Sequence, residues 1–414
     1  MLTRAKDGIH QLNARYHNLS VMVISPVPRS MRSALSDLDW LAAMHAEYDA
    51  IIANRTWTYK ARWVVRGFAQ RAGVDFSETF SPVVEPAMIH LVLQLVASRH
   101  WPIHQLDINN AFLYGHLQER VLCQQPTGFV DPTRPDDFWL KDLGALHFFL
   151  GINVRCDTSG FFLHQGQYAR DLLDHAGITD YKPAATPPKA KSKLSATAGQ
   201  PATDAALYRS IVGALQYLTL TRPDIQFVVQ QVCLHMHSPR DVHWSLVKRI
   251  LRYIRGTPTF GLRLCASAST ELFAYTNADW AGCPGTRRST LGYCVLFGDS
   301  LISWSSKWQP TVSRSSAEAE YCVVANVVVE TCWLRQLLGE LRVSILKATV
   351  VFCDNVSSTY LAANPVQHKC TKHIELDVHF VREKVQLGQL RVLHVPTTQQ
   401  FADIMTTGLP TAAF

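Results

Sequence analysis

Apolar residues in this chain recur with two periods, and the changes of period divide it into elements. Trp40, Met44, Tyr48 and Ile51 fall at helical spacing behind Ser36 or Asp37 as N-cap, and Asn54 to Thr56 ends that helix. Tyr59 to Gly67 alternates apolar and basic residues, which predicts a strand with Lys60, Arg62 and Arg66 on one face. His104 to Ile108 reads as a buried strand running out at Asp107 and turning into a helix. Phe149–Val154 and Gly160–Gln165 predict a hairpin turned at residues 157–160, with a helix over 166–176 behind it. Further helices are predicted at 208–220, from Pro223 to about His237, and at 243–256.

Beyond residue 262 the order of periods changes. Strands are predicted at Leu272–Asn277, Ser289–Phe297 and Leu301–Ser305, the last two joined by a turn at 298–300. Ser315 and Glu318 form a capping box that opens a long helix striped with Tyr321, Val324, Val328, Cys332 and Leu337. A strand at Thr349–Cys353 ends at Asp354, a short helix from Ser357 stops before Pro365, and a helix runs over 374–385. A strand at Leu390–Val395 and a last helix carrying Asp403 complete the pattern. Three antiparallel strands followed by helix-alternating strands are the order of an RNase H fold.

Composition narrows the class. A chain of 414 residues with 47% hydrophobic and 18% charged residues is globular and long enough for two or three cores. No apolar run reaches membrane-spanning length and no secretory signal opens the chain, so no membrane partner is expected. The ten cysteines are scattered without a CxxC pair, which predicts reduced thiols in an intracellular protein. His368, Cys370 and His373 come nearest to a metal cluster but lack zinc-knuckle spacing. The net charge of +7 is compatible with a polyanionic partner. Residues 182–204, rich in Pro, Ala, Ser, Thr and Lys, read as a linker rather than a phosphate-tracking loop.

A carboxylate at a strand end with an aromatic ring five residues on, Asp107 and Phe112, suits a polymerase palm, the Asp on metal and the ring beneath an incoming sugar. Together with Arg62–Gln70, Phe80–Val84, Gln105–Gly115 and Gln125–Phe129, these residues resemble the fingers and early palm of copia-type retrotransposon reverse transcriptases. In such a fold Lys60, Arg62 and Arg66 form a face able to hold phosphates. The match breaks after Phe138, where the chain passes straight to Trp139–Gly144, a stretch the family carries well downstream. The resemblance implies that the missing block held the primer helix and the Tyr-Val-Asp-Asp hairpin, and a smaller gap falls between Thr58 and Tyr59. Polymerisation clamps the reacting oxygens between two metal ions about 3.5–4 Å apart, which Asp107 alone cannot hold. An inactive polymerase remnant is expected.

The C-terminal motifs resemble the same family's RNase H: Ala274–Ala281, Arg288–Thr290, Ile302–Ser306, Ser313–Tyr321, Phe352–Asn355 and Thr371–Glu375. The resemblance implies hydrolysis of the RNA strand of an RNA–DNA hybrid with two Mg²⁺ ions held by four carboxylates. Carried over, those positions are Asn277, Glu320, Asp354 and Asp403, with Glu318 and Asp377 as competitors for the second and fourth. Asn277 is an amide where a bridging carboxylate is wanted, so a weakened two-ion Mg²⁺ site is expected, with Glu320, Asp354 and Asp403 as metal ligands and both metal affinity and metal spacing impaired. Asp279 rescues the site only if the strand slips by two residues.

The expected organisation is an N-terminal linker and helix (1–58), a fingers and palm remnant (59–138), a thumb and connection remnant (139–262) and an α+β RNase H-like module (263–414). The last is a five-stranded mixed sheet with helices. Three functions follow: a weakened hybrid ribonuclease, a catalytically dead nucleic-acid-binding module, or a decayed element product.

Overall fold

The computed structural model describes residues 85–108, 140–178, 181–188, 198–363 and 374–409, with 36–38, 40–42, 44 and 45. Lys60, Arg62, Arg66, Phe112 and the 368–373 cluster lie outside the described residues, as does the side chain of Asp107. The chain divides into two compact units, residues 1–81 with 106–141 and residues 82–105 with 142–414. Nearly everything described belongs to the second.

That unit opens with helix α1 (Pro86–Arg99), started by a proline whose missing N–H costs a first turn nothing. Strands β1 (His104–Ile108) and β2 (Leu140–Ala145) pair in a two-stranded sheet, with Asp107 on the first. Next come β3 (Phe148–Phe149), β4 (Ile152–Asp157), β5 (Gly160–His164), α2 (Gly166–His175) and α3 (Ala205–Leu218). After a 3₁₀ turn at Pro223–Ile225 follow α4 (Gln226–Cys233), α5 (Asp241–Gly256) and β6 (Gly261–Cys265). Strands β3 to β6 form a four-stranded antiparallel sheet in chain order. Helices α2 to α5 enclose their own core around Tyr208, Ile211, Leu215, Val232, Ile250 and Ile254.

The C-terminal module consists of β7 (Leu272–Asp279), β8 (Thr290–Phe297), β9 (Ser300–Trp308), α6 (Ser316–Glu340), β10 (Thr349–Cys353), α7 (Val356–Ala363), α8 (Glu375–Gln386) and β11 (Leu390–His394). Its sheet runs β11-β10-β7-β8-β9, with β7, β8 and β9 antiparallel and β10 parallel to both β7 and β11. This is the RNase H-like fold expected from the order of strands. Helix α6 is long and apolar enough to cross a membrane by length and composition, but it is the core helix here. Tyr321, Val324, Val328, Leu334 and Leu338 are fully buried against the sheet and neighbouring helices. Several boundaries differ from the sequence reading, and two of the differences bear on the site. Strand β7 continues two residues past Asn277, because Ala278 and Asp279 still pair with Leu291 and Thr290. The last element is a 3₁₀ helix, Phe401–Met405, begun by the Gln400 side chain accepting the Ala402 N–H at 3.2 Å.

Helix α1 changes the domain picture. A helix apolar on two sides needs two covering surfaces. Ala87, Leu91 and Leu95 join the core of the C-terminal module, while Leu93 and Ala97 join that of the β3–β6 sheet. Between these apolar faces, buried Ser300 donates to Gln94 at 2.6 Å and accepts the backbone N–H of Cys265 at 2.8 Å. A division at 262/263 therefore cuts strand β6, and residues 82–105 belong with the C-terminal module and the β3–β6 sheet.

Candidate active site of the C-terminal module

Parallel pairing sets Cys353 against Thr276, so the next residue of each strand, Asn277 and Asp354, emerges at the same end of the sheet. Helix α6 delivers Glu320. Its start is fixed by Ser315, which accepts the N–H of Glu318 at 3.2 Å, while the Glu318 carboxylate accepts the Arg314 N–H at 2.9 Å. Glu318 thus caps the helix, and Glu320, two residues further in, accepts the Ala278 N–H at 2.7 Å. Ligand atoms of Glu320, Cys353 and Asp354 all lie within 4.8 Å of one another. Asp354 in turn accepts the Thr397 hydroxyl at 3.2 Å.

The fourth group arrives on the C-terminal 3₁₀ helix. Gln400 anchors it by donating to the Thr276 carbonyl at 2.9 Å, and the Tyr275 ring packs between Phe352 and Phe401. Gly292, opposite Asn277 across the β7–β8 ladder, lets the helix close in: a Cβ there would fall 2.6 Å from Thr406 Cγ2 and 2.7 Å from Met405 Cβ. In consequence the Asn277 amide donates both to Asp403 Oδ1 at 2.6 Å and to Thr406 Oγ1 at 2.7 Å. Asn277 is buried, and both amide protons are committed to the C-terminal helix.

Burial governs the electrostatics. It pushes the Glu320 carboxyl up to about 8, with the charges of Asp354 and Asp403 adding to the rise and the Ala278 N–H opposing it. Burial, then the charge of Asp354, raises Asp403 to about 6. Three carboxyl groups crowd the site, and their hydrogen-bond partners among the described residues include no basic side chain, an arrangement that favours protons or a cation.

The structure thus brings Asn277, Glu320, Asp354 and Asp403 together. Asp279 does not join them: its carboxylate folds over Gly282, where a Cβ would sit 1.9 Å from Oδ2. The β7–β8 ladder runs in register through Asp279 and Thr290, without a two-residue slip. Asp377 on α8 has Tyr321 and Cys322 as its electrostatic neighbours, so it does not compete with Asp403. Sequence reasoning missed Cys353, Thr406, Gln400 and Gly292. Only Cys353 carried a signal, as the residue directly before Asp354.

A profile described as reverse transcriptase (RNA-dependent DNA polymerase) matches residues 40–139. The retrovirus-related Pol polyproteins of transposons RE2 and RE1 of Arabidopsis thaliana are 37% and 38% identical to the whole chain. The chain belongs to the copia-type retrotransposon Pol family. It spans 36% of the length of those two relatives. Their alignments run over 523 residues against the 414 present, so the relatives carry internal residues that this chain lacks. An uncharacterized mitochondrial protein of Arabidopsis thaliana is 49% identical over 47% of the chain and 81% of its own length. Among solved structures, an RNase H1 in complex with an RNA/DNA hybrid covers 33% of this chain and 94% of its own at 14% identity and a TM-score of 0.26. A foamy viral protease–reverse transcriptase, also with a hybrid, covers 63% and 31% at 11% identity and a TM-score of 0.36. Likeness this weak adds nothing to the assignment, which rests on the sequence relatives and the strand order.

Proposed function

We propose that this chain is a hybrid-recognising RNase H module whose Mg²⁺-dependent hydrolysis is curtailed at Asn277, joined to a polymerase remnant that does not polymerise. The observation that carries the reading is the Asn277 amide donating to Asp403 beside Glu320 and Asp354.

The donor set decides how much metal the site suits. Glu320, Asp354 and Asp403 offer the hard oxygens that Mg²⁺ prefers. The position expected to bridge a second ion offers only a neutral amide, whose N–H groups face Asp403 and Thr406. That set fits one cation and falls short of two. Two such ions would supply an activated water and a stabilised leaving oxygen. What the chain's own residues do is narrower: Ala278 orients Glu320, Thr397 orients Asp354, and Asn277 holds Asp403. The polymerase side of the reading is supported by the break after Phe138 and by the alignment length against RE1 and RE2.

The test is cleavage of a labelled RNA–DNA hybrid by the full chain with Mg²⁺ or Mn²⁺, beside Asn277→Asp and a primer-extension assay. The variant should cut faster by roughly tenfold or more, and neither protein should extend a primer. Equal cleavage by both proteins, or any templated extension, overturns the corresponding half.

A further inference from the structure

A cavity of about 520 Å³ opens where α1, α4, β8, β9 and α6 meet, and none of its walls belongs to the site described above. All of its lining lies within the second compact unit. The volume is in the range of small-molecule sites. Two carboxylates line it, Glu85 at the N-cap of α1 and Glu330 on α6, with Gln226 and Gln230 of α4 across from the edge strand β9.

Neither acid is neutralised. Glu85 and Glu330 form no ion pair among the described residues. Glu330 accepts the Ser303 hydroxyl at 2.6 Å. Burial raises its carboxyl above the ordinary range; the Ser303 hydrogen bond opposes that rise, and the charge of Glu85 adds to it. Lys307, the one lysine on the wall, is exposed and acts on Glu330 more weakly than Glu85 does. His90 brings no positive charge at neutral pH: it is buried, its Nδ1 lies 3.0 Å from the Ile302 carbonyl, and burial lowers its pKa.

The other walls suit a ligand rich in hydrogen-bond donors. Ser306 lines the cavity and is buried, yet its Oγ has no hydrogen-bond partner among the described residues, a state that folded chains rarely leave unmatched. Trp304 also lines it, stacked on His90 with ring centroids 5.1 Å apart, and an indole ring attracts cations. A single metal ion does not fit. Among the described residues only Glu320, Cys353 and Asp354 bring three ligand atoms within 4.8 Å of one another, so Glu85, His90 and Glu330 do not converge on one ion. A cation with two separated charges meets both acids, Glu330 within the wall and Glu85 at its exposed end. We propose that this cavity binds a short aliphatic diamine, one ammonium group against Glu330 and Trp304 and the other against Glu85. Occupancy ties α1 to α4 and α6.

The experiment titrates putrescine into the full chain by calorimetry at low salt in chelator, with butylamine as the singly charged control and thermal melting as a second readout. Putrescine should bind at one site, more tightly than butylamine, and raise the melting temperature. Glu330→Gln, of the same shape, should weaken binding by roughly tenfold or more. Glu85→Gln, at an exposed position, should weaken it by about two- to fivefold. The paired Glu320→Gln, Asp354→Asn variant should bind as the natural chain does; circular dichroism verifies each fold. If Glu330→Gln fails to fold, Glu85→Gln still decides, since unchanged affinity there overturns the proposal. Absence of both binding heat and a melting shift overturns it, as does butylamine binding as tightly as putrescine. Loss of binding in the paired variant with none in Glu330→Gln moves the amine to the catalytic acids and overturns it. A lysine-rich peptide that displaces putrescine and binds more tightly assigns the cavity to a protein segment, which also overturns it.

Discussion

At the scale of single residues, the site is held together by an amide. Asn277 satisfies Asp403 and Thr406 through its two N–H groups, a task a carboxylate in the same place cannot perform without a cation between the acids. Asn277→Asp should therefore melt lower than the natural chain in chelator and gain more from Mg²⁺, a crossing visible in thermal scans with and without the ion. Glu320 makes a second prediction. Its carboxyl is raised from an ordinary value near 4.5 to about 8, so the folded state favours the protonated form. That contribution is complete below the unfolded pKa and is lost as pH rises through the folded one. In chelator, stability should fall between pH 5 and pH 8 by on the order of a few kcal/mol, and Glu320→Gln should flatten the profile. The four site positions were legible in the sequence because strand ends, a capping box and family motifs mark them. Thr406 and Gln400 were not. Their roles exist only through hydrogen bonds spanning 129 and 124 residues, which no local pattern announces.

At the scale of elements, close approach decides more than propensity does. Gly292 sits in a strand where a branched side chain would ordinarily serve better, yet the 3₁₀ helix leaves it no room for a methyl group. Gly292→Ala should destabilise the chain by about 1–3 kcal/mol and should also weaken whatever cleavage Asn277→Asp restores, since it pushes away the helix that carries Asp403. Denaturant titration and the hybrid assay on the double variant check the two effects. The sequence located most helices and strands through period and capping. It missed the 3₁₀ character of the last one, where a side-chain cap and tertiary packing outweigh the pattern. Helix α1 was missed for a related reason: apolar residues on two faces give no single stripe, so spacing alone does not say what covers it.

At the scale of the whole molecule, α1 makes the C-terminal module dependent on residues far upstream. Leu91 is fully buried in that module's core, and Leu91→Ala should cost about 2–5 kcal/mol. A fragment beginning at residue 263 lacks Ala87, Leu91 and Leu95 and should melt lower and aggregate sooner than the full chain, as differential scanning and light scattering would report. The same helix sets a schedule for synthesis. Gln94 and its partner Ser300 are separated by 206 residues. At ordinary elongation rates α1 leaves the ribosome roughly ten seconds or more before its second covering surface has been made. Until then one apolar face stands open to solvent, a target for chaperones whose hold must end when the last strands arrive.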